Sequence, residues 1–129
     1  MINYSEKDFP FQKETDSIIG SGIEVHKALG AGFLEIVYKD ALELEFNNRK
    51  ISFEREKEYP VLYKGEILQH SFYADFVVSE NVILEIKAKS DIANEDVAQT
   101  LNYLKCSGCK VGLVLNFGRS TLGIKRLTL

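Results

Sequence analysis

The segment from His70 to Ser90, HSFYADFVVSENVILEIKAKS, consists of two apolar runs separated by Ser79-Glu80-Asn81, and it restricts the fold more than any other part of the chain. Turn-forming residues between alternating runs predict a β-hairpin with a three-residue loop. Antiparallel partners share a constant index sum. Pairing Val78 with Val82 therefore sets Ala74 against Ile86, Tyr73 against Lys87 and Asp75 directly against Glu85. Because strand side chains alternate faces, Glu85 and Lys87 are expected to point the same way as Asp75.

Two carboxylates set against each other repel, and burying them costs on the order of several kcal/mol unless a cation lies between them. A divalent ion is the natural partner: paired carboxylate oxygens suit Mg2+ or Mn2+, and Lys87 beside them could orient a water or neutralise charge at a phosphate. The plainer reading is an exposed hairpin face on which Asp75 or Glu85 pairs with Lys87. The Val82, Leu84, Ile86 and Ala88 face, with Phe72, Phe76 and Ile83 flanking it, instead favours strands buried on both sides.

The residues before the hairpin read as two helices and an edge strand. Met1–Phe11 resembles a loosely held arm. A helix is predicted from about Lys13 or Thr15 to Leu29, with Ile18, Ile19, Gly22, Val25 and Leu29 on one face and Gly30 and Gly32 ending it. His26 falls in that apolar sector, where a hydrogen-bonded core histidine is the plainer alternative to a ligand. A second helix is expected over about Phe33 to Asn48, burying Leu34, Tyr38, Ala41, Leu42 and Phe46. Glu35 lies at the edge of that stripe, either aimed toward the core side or simply favouring the helix N-terminus. Ile51–Tyr63 reads as an edge strand bent at Tyr59-Pro60, returning through a Lys64-Gly65 turn into one antiparallel meander.

After the hairpin, Ser90 or Asp91 can cap a third helix reaching about Lys105 and packing through Val97, Leu101 and Leu104. Gln99 and Tyr103, four apart, share a different stripe, which is either surface or a contact to substrate backbone. Lys110–Phe117 is a short, nearly continuous apolar strand suited to a mixed sheet after a helical crossover, and Leu122–Leu129 supplies a last strand. Cys106-Ser107-Gly108-Cys109 falls between helix and strand. Zinc would need four ligands, and His26 and His70 are not at finger-like spacing, so two reduced thiols in a turn are expected.

A chain of 129 residues supports one domain with a real core. No apolar run approaches a membrane span and the N-terminus lacks a signal-peptide layout, which predicts a soluble cytoplasmic protein. A net charge of −3 is not the basic footprint of a non-specific nucleic-acid binder, although Lys87, Lys89, Lys105 and Lys110 lie near the paired acids in sequence, and Arg119, Lys125 and Arg126 cluster near the C-terminus.

The ordered set Glu35, Asp75, Glu85-Ile86-Lys87 and Gln99-x-x-x-Tyr103 resembles the PD-(D/E)XK nuclease superfamily, and its last pair looks like the RecB-type branch. Gly32-Phe33-Leu34-Glu35-Ile36-Val37-Tyr38 is similar to the naming motif of the GxxExxY proteins. The likeness runs from the His26 region through Asn116-Phe117-Gly118 to the last strand. Two positions depart from the pattern: Ala74 stands where the superfamily has its proline, and Asp96 where GxxExxY proteins often have a histidine.

That resemblance implies an α/β fold with a restriction-endonuclease-like core, a central mixed β-sheet flanked by helices, in one nuclease-like domain over residues 13–129 after an arm of residues 1–12. It implies a metal-dependent nuclease that hydrolyses phosphodiester bonds in DNA with Mg2+ or Mn2+. Asp75, Glu85 and the Ile86 backbone carbonyl would hold the metal, Lys87 would position the attacking water, and Glu35 would bind a second metal or a metal-bound water. Gln99, Tyr103 and His26 would support the site or touch the nucleic acid. A domain this small could form a homodimer to address two strands. The alternative is an inactive nuclease-fold module that binds nucleic acid or a protein partner; RNA is a further possible substrate.

Overall fold

In the computed structural model, which describes residues 10–129, the first apolar stripe becomes helix α1 (Gln12–Leu29). Ile18, Gly22 and Val25 are buried as their spacing requires, and Thr15, Ser21 and His26 join them. Gly30 ends the helix with a φ of 71°, which a side chain would resist, and its N–H returns to the His26 carbonyl at 2.8 Å. The expected arm lies mostly outside the described residues. Pro10 and Phe11 are tied down, the first by a 2.5 Å hydrogen bond from Arg126 to its carbonyl and the second by packing on the core.

Helix α2 (Glu35–Asn48) buries Tyr38, Leu42 and Phe46 as expected. Leu34 does not join them: it is the N-cap, outside the first turn, and is 76% exposed. Lys39 is buried instead. The Tyr38 hydroxyl donates to the Gly30 carbonyl at 2.6 Å and accepts from the Phe33 N–H at 3.2 Å, so the tyrosine of the glycine-rich motif anchors the loop between the two helices.

The strands are β1 (Phe53–Tyr59), β2 (Leu62–Tyr63), β3 (Glu66–Ile67), β4 (Phe72–Val78), β5 (Val82–Lys87), β6 (Val111–Asn116) and β7 (Gly123–Thr128). One five-stranded sheet has the order β1-β4-β5-β6-β7. Its β5–β6 pair is parallel and its other pairs are antiparallel, so it is a mixed sheet. The edge strand stops at Tyr59, just before Pro60, which cannot donate to a ladder. The single meander expected there is corrected: β2 and β3 form a separate two-stranded ribbon around Lys64-Gly65, and β1 pairs directly with β4.

Helix α3 (Asn94–Ser107) makes the crossover between the parallel strands. Its N-cap is Ala93 rather than Ser90 or Asp91. Asp96 accepts the Ala93 N–H at 2.8 Å, and Asp91 pairs with Arg119 at 2.6 Å. Both cysteines are free thiols, Cys106 exposed at the end of α3 and Cys109 buried just before β6. Among the described residues no helix is long and apolar enough to cross a membrane.

The sheet is covered on both sides. Ile18, Tyr38, Leu42 and Phe46 of α1 and α2 pack with Leu84, Ile86, Leu113 and Leu115, while Leu104 of α3 packs with Ile83 and Val114 on the other face. Alternation is broken at one place. Phe76 and Val78 belong to the α1/α2 layer, yet Phe72 and Ala74, of the same parity, belong to the α3 layer. The pattern therefore slips by one residue at Asp75, where clean alternation was expected. β1 slips in the neighbouring row: Phe53 packs with the first layer and Tyr59 with the second, and Glu56 between them has a φ of 54°.

Candidate active site

The double slip opens the sheet between β4 and β5. Val78 pairs with Val82 as expected, but the ladder stops at Phe76 with Leu84. Beyond it the two acidic side chains take the place of the missing ladder bonds. The Asp75 N–H donates to Glu85 Oε2 at 2.8 Å, and the Ile86 N–H donates to Asp75 Oδ2 at 2.8 Å. Glu85 is buried, and burial together with the charge of Asp75 pushes its carboxyl up to about 8. The Asp75 N–H and the charges of Lys87 and Lys39 act against that rise without offsetting it.

On the Asp75 side the cation is Lys39, which the sequence reading did not single out. Its Nζ lies 3.0 Å from Asp75 Oδ1 and also pairs with Glu56. Burial works against the ammonium, but hydrogen bonds and charge from Glu56 and Asp75 outweigh it and hold Lys39 above the usual lysine range. Glu56 stands opposite Asp75 in the β1–β4 register, in a row skipped by the pairing between Arg55 with Phe76 and Lys57 with Ala74. Its left-handed backbone turns the carboxylate toward α2 instead of continuing the strand.

Lys87 closes β5, and the chain after it is clamped to β6. Phe117 N–H donates to the Lys87 carbonyl at 2.8 Å. The Asn116 side chain accepts the Lys89 N–H at 3.0 Å and donates to the Lys89 carbonyl at 2.9 Å. Gly118 passes so close that a Cβ there would lie 2.1 Å from the Lys89 carbonyl oxygen. Asp96, at the position where a histidine was anticipated by resemblance, pairs with Lys89 and stands 3.9 Å from the Lys87 ammonium.

Helix α3 brings the expected Gln99–Tyr103 pair alongside. The Tyr103 ring stacks on Phe72 with centroids 3.9 Å apart, and the Gln99 side chain lies near its hydroxyl. Burial, followed by the charges of Glu85 and Asp75, raises the tyrosine above its usual range, which locates the hydroxyl in the field of the two acids. Glu35 is exposed at the start of α2, one helical turn before Lys39, and makes no hydrogen bond or ion pair among the described residues. His26 is elsewhere: its Nε2 bonds the Arg119 carbonyl at 2.7 Å beside the Phe117 ring, and none of its described contacts is with Asp75, Glu85 or Lys87.

Residues 12–127 match the PD-(D/E)XK nuclease superfamily. This chain belongs to that superfamily. No curated protein matches. Among solved structures the superfamily member described here is similar to the crystal structure of SSO0001, at 16% identity and a TM-score of 0.57, over 92% of this chain and 59% of that one. It therefore spans about three-fifths of the length of that protein, and the likeness is one of fold. The five-stranded mixed sheet between helical layers is the restriction-endonuclease-like core of the superfamily.

PD-(D/E)XK nucleases generally use divalent metals. The donors present here fit one. Asp75 and Glu85 offer hard oxygens on facing strands, burial and the neighbouring Asp75 charge disfavour the bare Glu85 carboxylate, and Mg2+ is usually held by one or two carboxylates with water filling the other positions. Among the described residues no three His, Cys, Asp or Glu side chains converge on one point, so the protein's own share would be this pair and a backbone carbonyl such as that of Ile86. In this superfamily member, sequence reasoning missed Lys39, Glu56 and the Asn116 clamp. The first two carried a signal in hindsight: Lys39 adjoins Tyr38 on the buried side of its helix, and FEREKEY is acidic at each second position.

Proposed function

We propose that this domain is a metal-dependent phosphodiesterase of the GxxExxY type, in the RecB-like branch, that hydrolyses DNA. The observation that carries the reading is the reciprocal bonding of Asp75 and Glu85 across strands that have stopped pairing, with Lys87 two residues on. Nothing in the packing requires a buried and a half-buried acid at that point, and an apolar pair would continue the ladder at lower cost.

In this reading Asp75, Glu85 and the Ile86 carbonyl hold Mg2+ or Mn2+, which when bound supplies charge to the phosphate and lowers the pKa of a coordinated water. Lys87 holds the attacking water and stabilises charge on the phosphate oxygens, and Asp96 and the Asn116 clamp keep it in place. Gln99 and Tyr103 contact the nucleic-acid backbone beside the acids. Glu35, exposed at the start of α2, is free to bind a second ion or its water. The position of His26 favours a structural role at the turn after Phe117. A homodimer would present two such sites to a duplex.

The test is cleavage of single-stranded, duplex and branched DNA, with RNA as comparison. Activity is expected with Mg2+ or Mn2+, lost in EDTA, and reduced at least about a hundredfold in Asp75→Ala and Lys87→Ala while both remain folded. Equal cleavage by these variants would sink the assignment, and selective cleavage of RNA would replace the substrate.

A further inference from the structure

We infer that Lys39 is a built-in counter-charge that occupies Asp75 until a divalent ion arrives, and that Glu56 is the acceptor that draws it away. The pair would set the protein's affinity for metal. This rests on the metal reading of Asp75 and Glu85 and extends it to two residues outside that set.

The geometry divides the Asp75 carboxylate between two partners. Oδ2 is committed to the Ile86 N–H at 2.8 Å, and Oδ1 takes the Lys39 ammonium at 3.0 Å. Oδ1 is therefore the oxygen for which an ammonium and a divalent ion compete. Lys39 comes from a helix, is buried, and has a second acid already in contact, so it can exchange one carboxylate for the other without passing through water. Glu56 is suited to receive it: its side chain is 47% exposed, so its own hydration softens the change, whereas Asp75 is 18% exposed. Glu56 also stays on this face only through a left-handed backbone, an uncommon conformation for a residue other than glycine, asparagine or aspartate.

The charges agree with this. Glu56 and Asp75 with Lys39 between them sum to one negative charge, so the ammonium offsets only part of the acidic set it bridges. Without the metal, Lys39 lowers the repulsion between Asp75 and Glu85. With it, an ammonium left on Asp75 would repel the ion, and Glu56 provides the alternative.

Calorimetric titration of the full chain with Mn2+ tests this without reference to cleavage. Lys39→Met removes the competitor and is expected to tighten binding about tenfold, with Lys39→Gln moving the same way as a second neutral variant. Glu56→Gln removes the acceptor, leaves Lys39 on Asp75, and is expected to weaken binding about fivefold. Because Glu56 acts through Lys39, adding Glu56→Gln to Lys39→Met should change the dissociation constant less than about twofold. Opposite shifts that collapse in the double variant support the inference. Shifts of the same sign, or a Glu56→Gln effect that persists without Lys39, overturn it while leaving the metal site standing. Wild-type protein that takes up no Mn2+ overturns both readings together.

Discussion

The side-chain amide of Asn116 closes two hydrogen bonds on the backbone of Lys89, at 3.0 and 2.9 Å. A primary amide in that position does what another peptide of β6 would do, so the parallel ladder that ends at Lys87 with Asn116 is prolonged to Lys89, two residues beyond the candidate catalytic lysine.

Asn116→Ala leaves both Lys89 groups without that partner and is expected to cost about 2–4 kcal/mol in urea denaturation. Gly118→Ala, which forces a Cβ against the Lys89 carbonyl, should fall in the same range. Both should also speed hydrogen exchange at the Lys89 amide. A loss under about 1 kcal/mol in Asn116→Ala would mean the segment is held by something else.

Glu85 links stability to pH. Burial, and then the charge of Asp75, raise it to about 8 in the folded protein. Between the ordinary carboxylate range and that value the folded chain retains a proton that the unfolded chain has released, so stability is highest at the acidic end of the window and falls as pH rises through it. The expected loss is on the order of a few kcal/mol in EDTA, and Glu85→Gln should abolish it. Denaturation curves at about pH 5, 7 and 9 would show this, and a wild-type profile that is level or rising would contradict the assigned environment of Glu85.

Tyr103 joins a packed ring to a hydroxyl near the acids, and two variants separate the parts. Tyr103→Phe keeps the stack on Phe72 and should alter stability by less than about 0.5 kcal/mol, whereas Tyr103→Ala should cost about 3 kcal/mol. If the hydroxyl touches substrate, Tyr103→Phe should lower cleavage about tenfold. An unchanged rate would confine the residue to packing.

Much of this arrangement is legible in the residues, and the remainder has definite physical obstacles. Ser79-Glu80-Asn81 sets the hairpin register because a short loop leaves one pairing of the flanking apolar runs, and Val78 does meet Val82. The crossover to β6 follows from a helical stripe before a continuous apolar run. Glu56 could not be matched to Asp75 in the same way, because the chain between them detours through the β2–β3 ribbon and no tight turn relates the two strands. Its left-handed backbone also defeats any argument from alternation. Lys39 was obscured by a boundary: starting the second helix at Phe33 made Leu34 a core residue, whereas a start at Glu35 exposes Leu34 and leaves the stripe to include a lysine. That a lysine is buried depends on two acids from other strands, which no helical wheel contains.

The slip in alternation at Asp75 can be described as a one-residue frameshift in the hydrophobic pattern of the strand. Were Asp75 deleted, Phe72 and Ala74 would take the opposite parity to Phe76 and Val78, and a regularly alternating β4 could keep the first two toward α3 and the second two toward α1 and α2. Such a chain would make a more regular sheet with no opening in which to bury an acid. The irregularity and the site occupy the same residue, so substitutions that smooth the sheet there should be expected to erase the site as well.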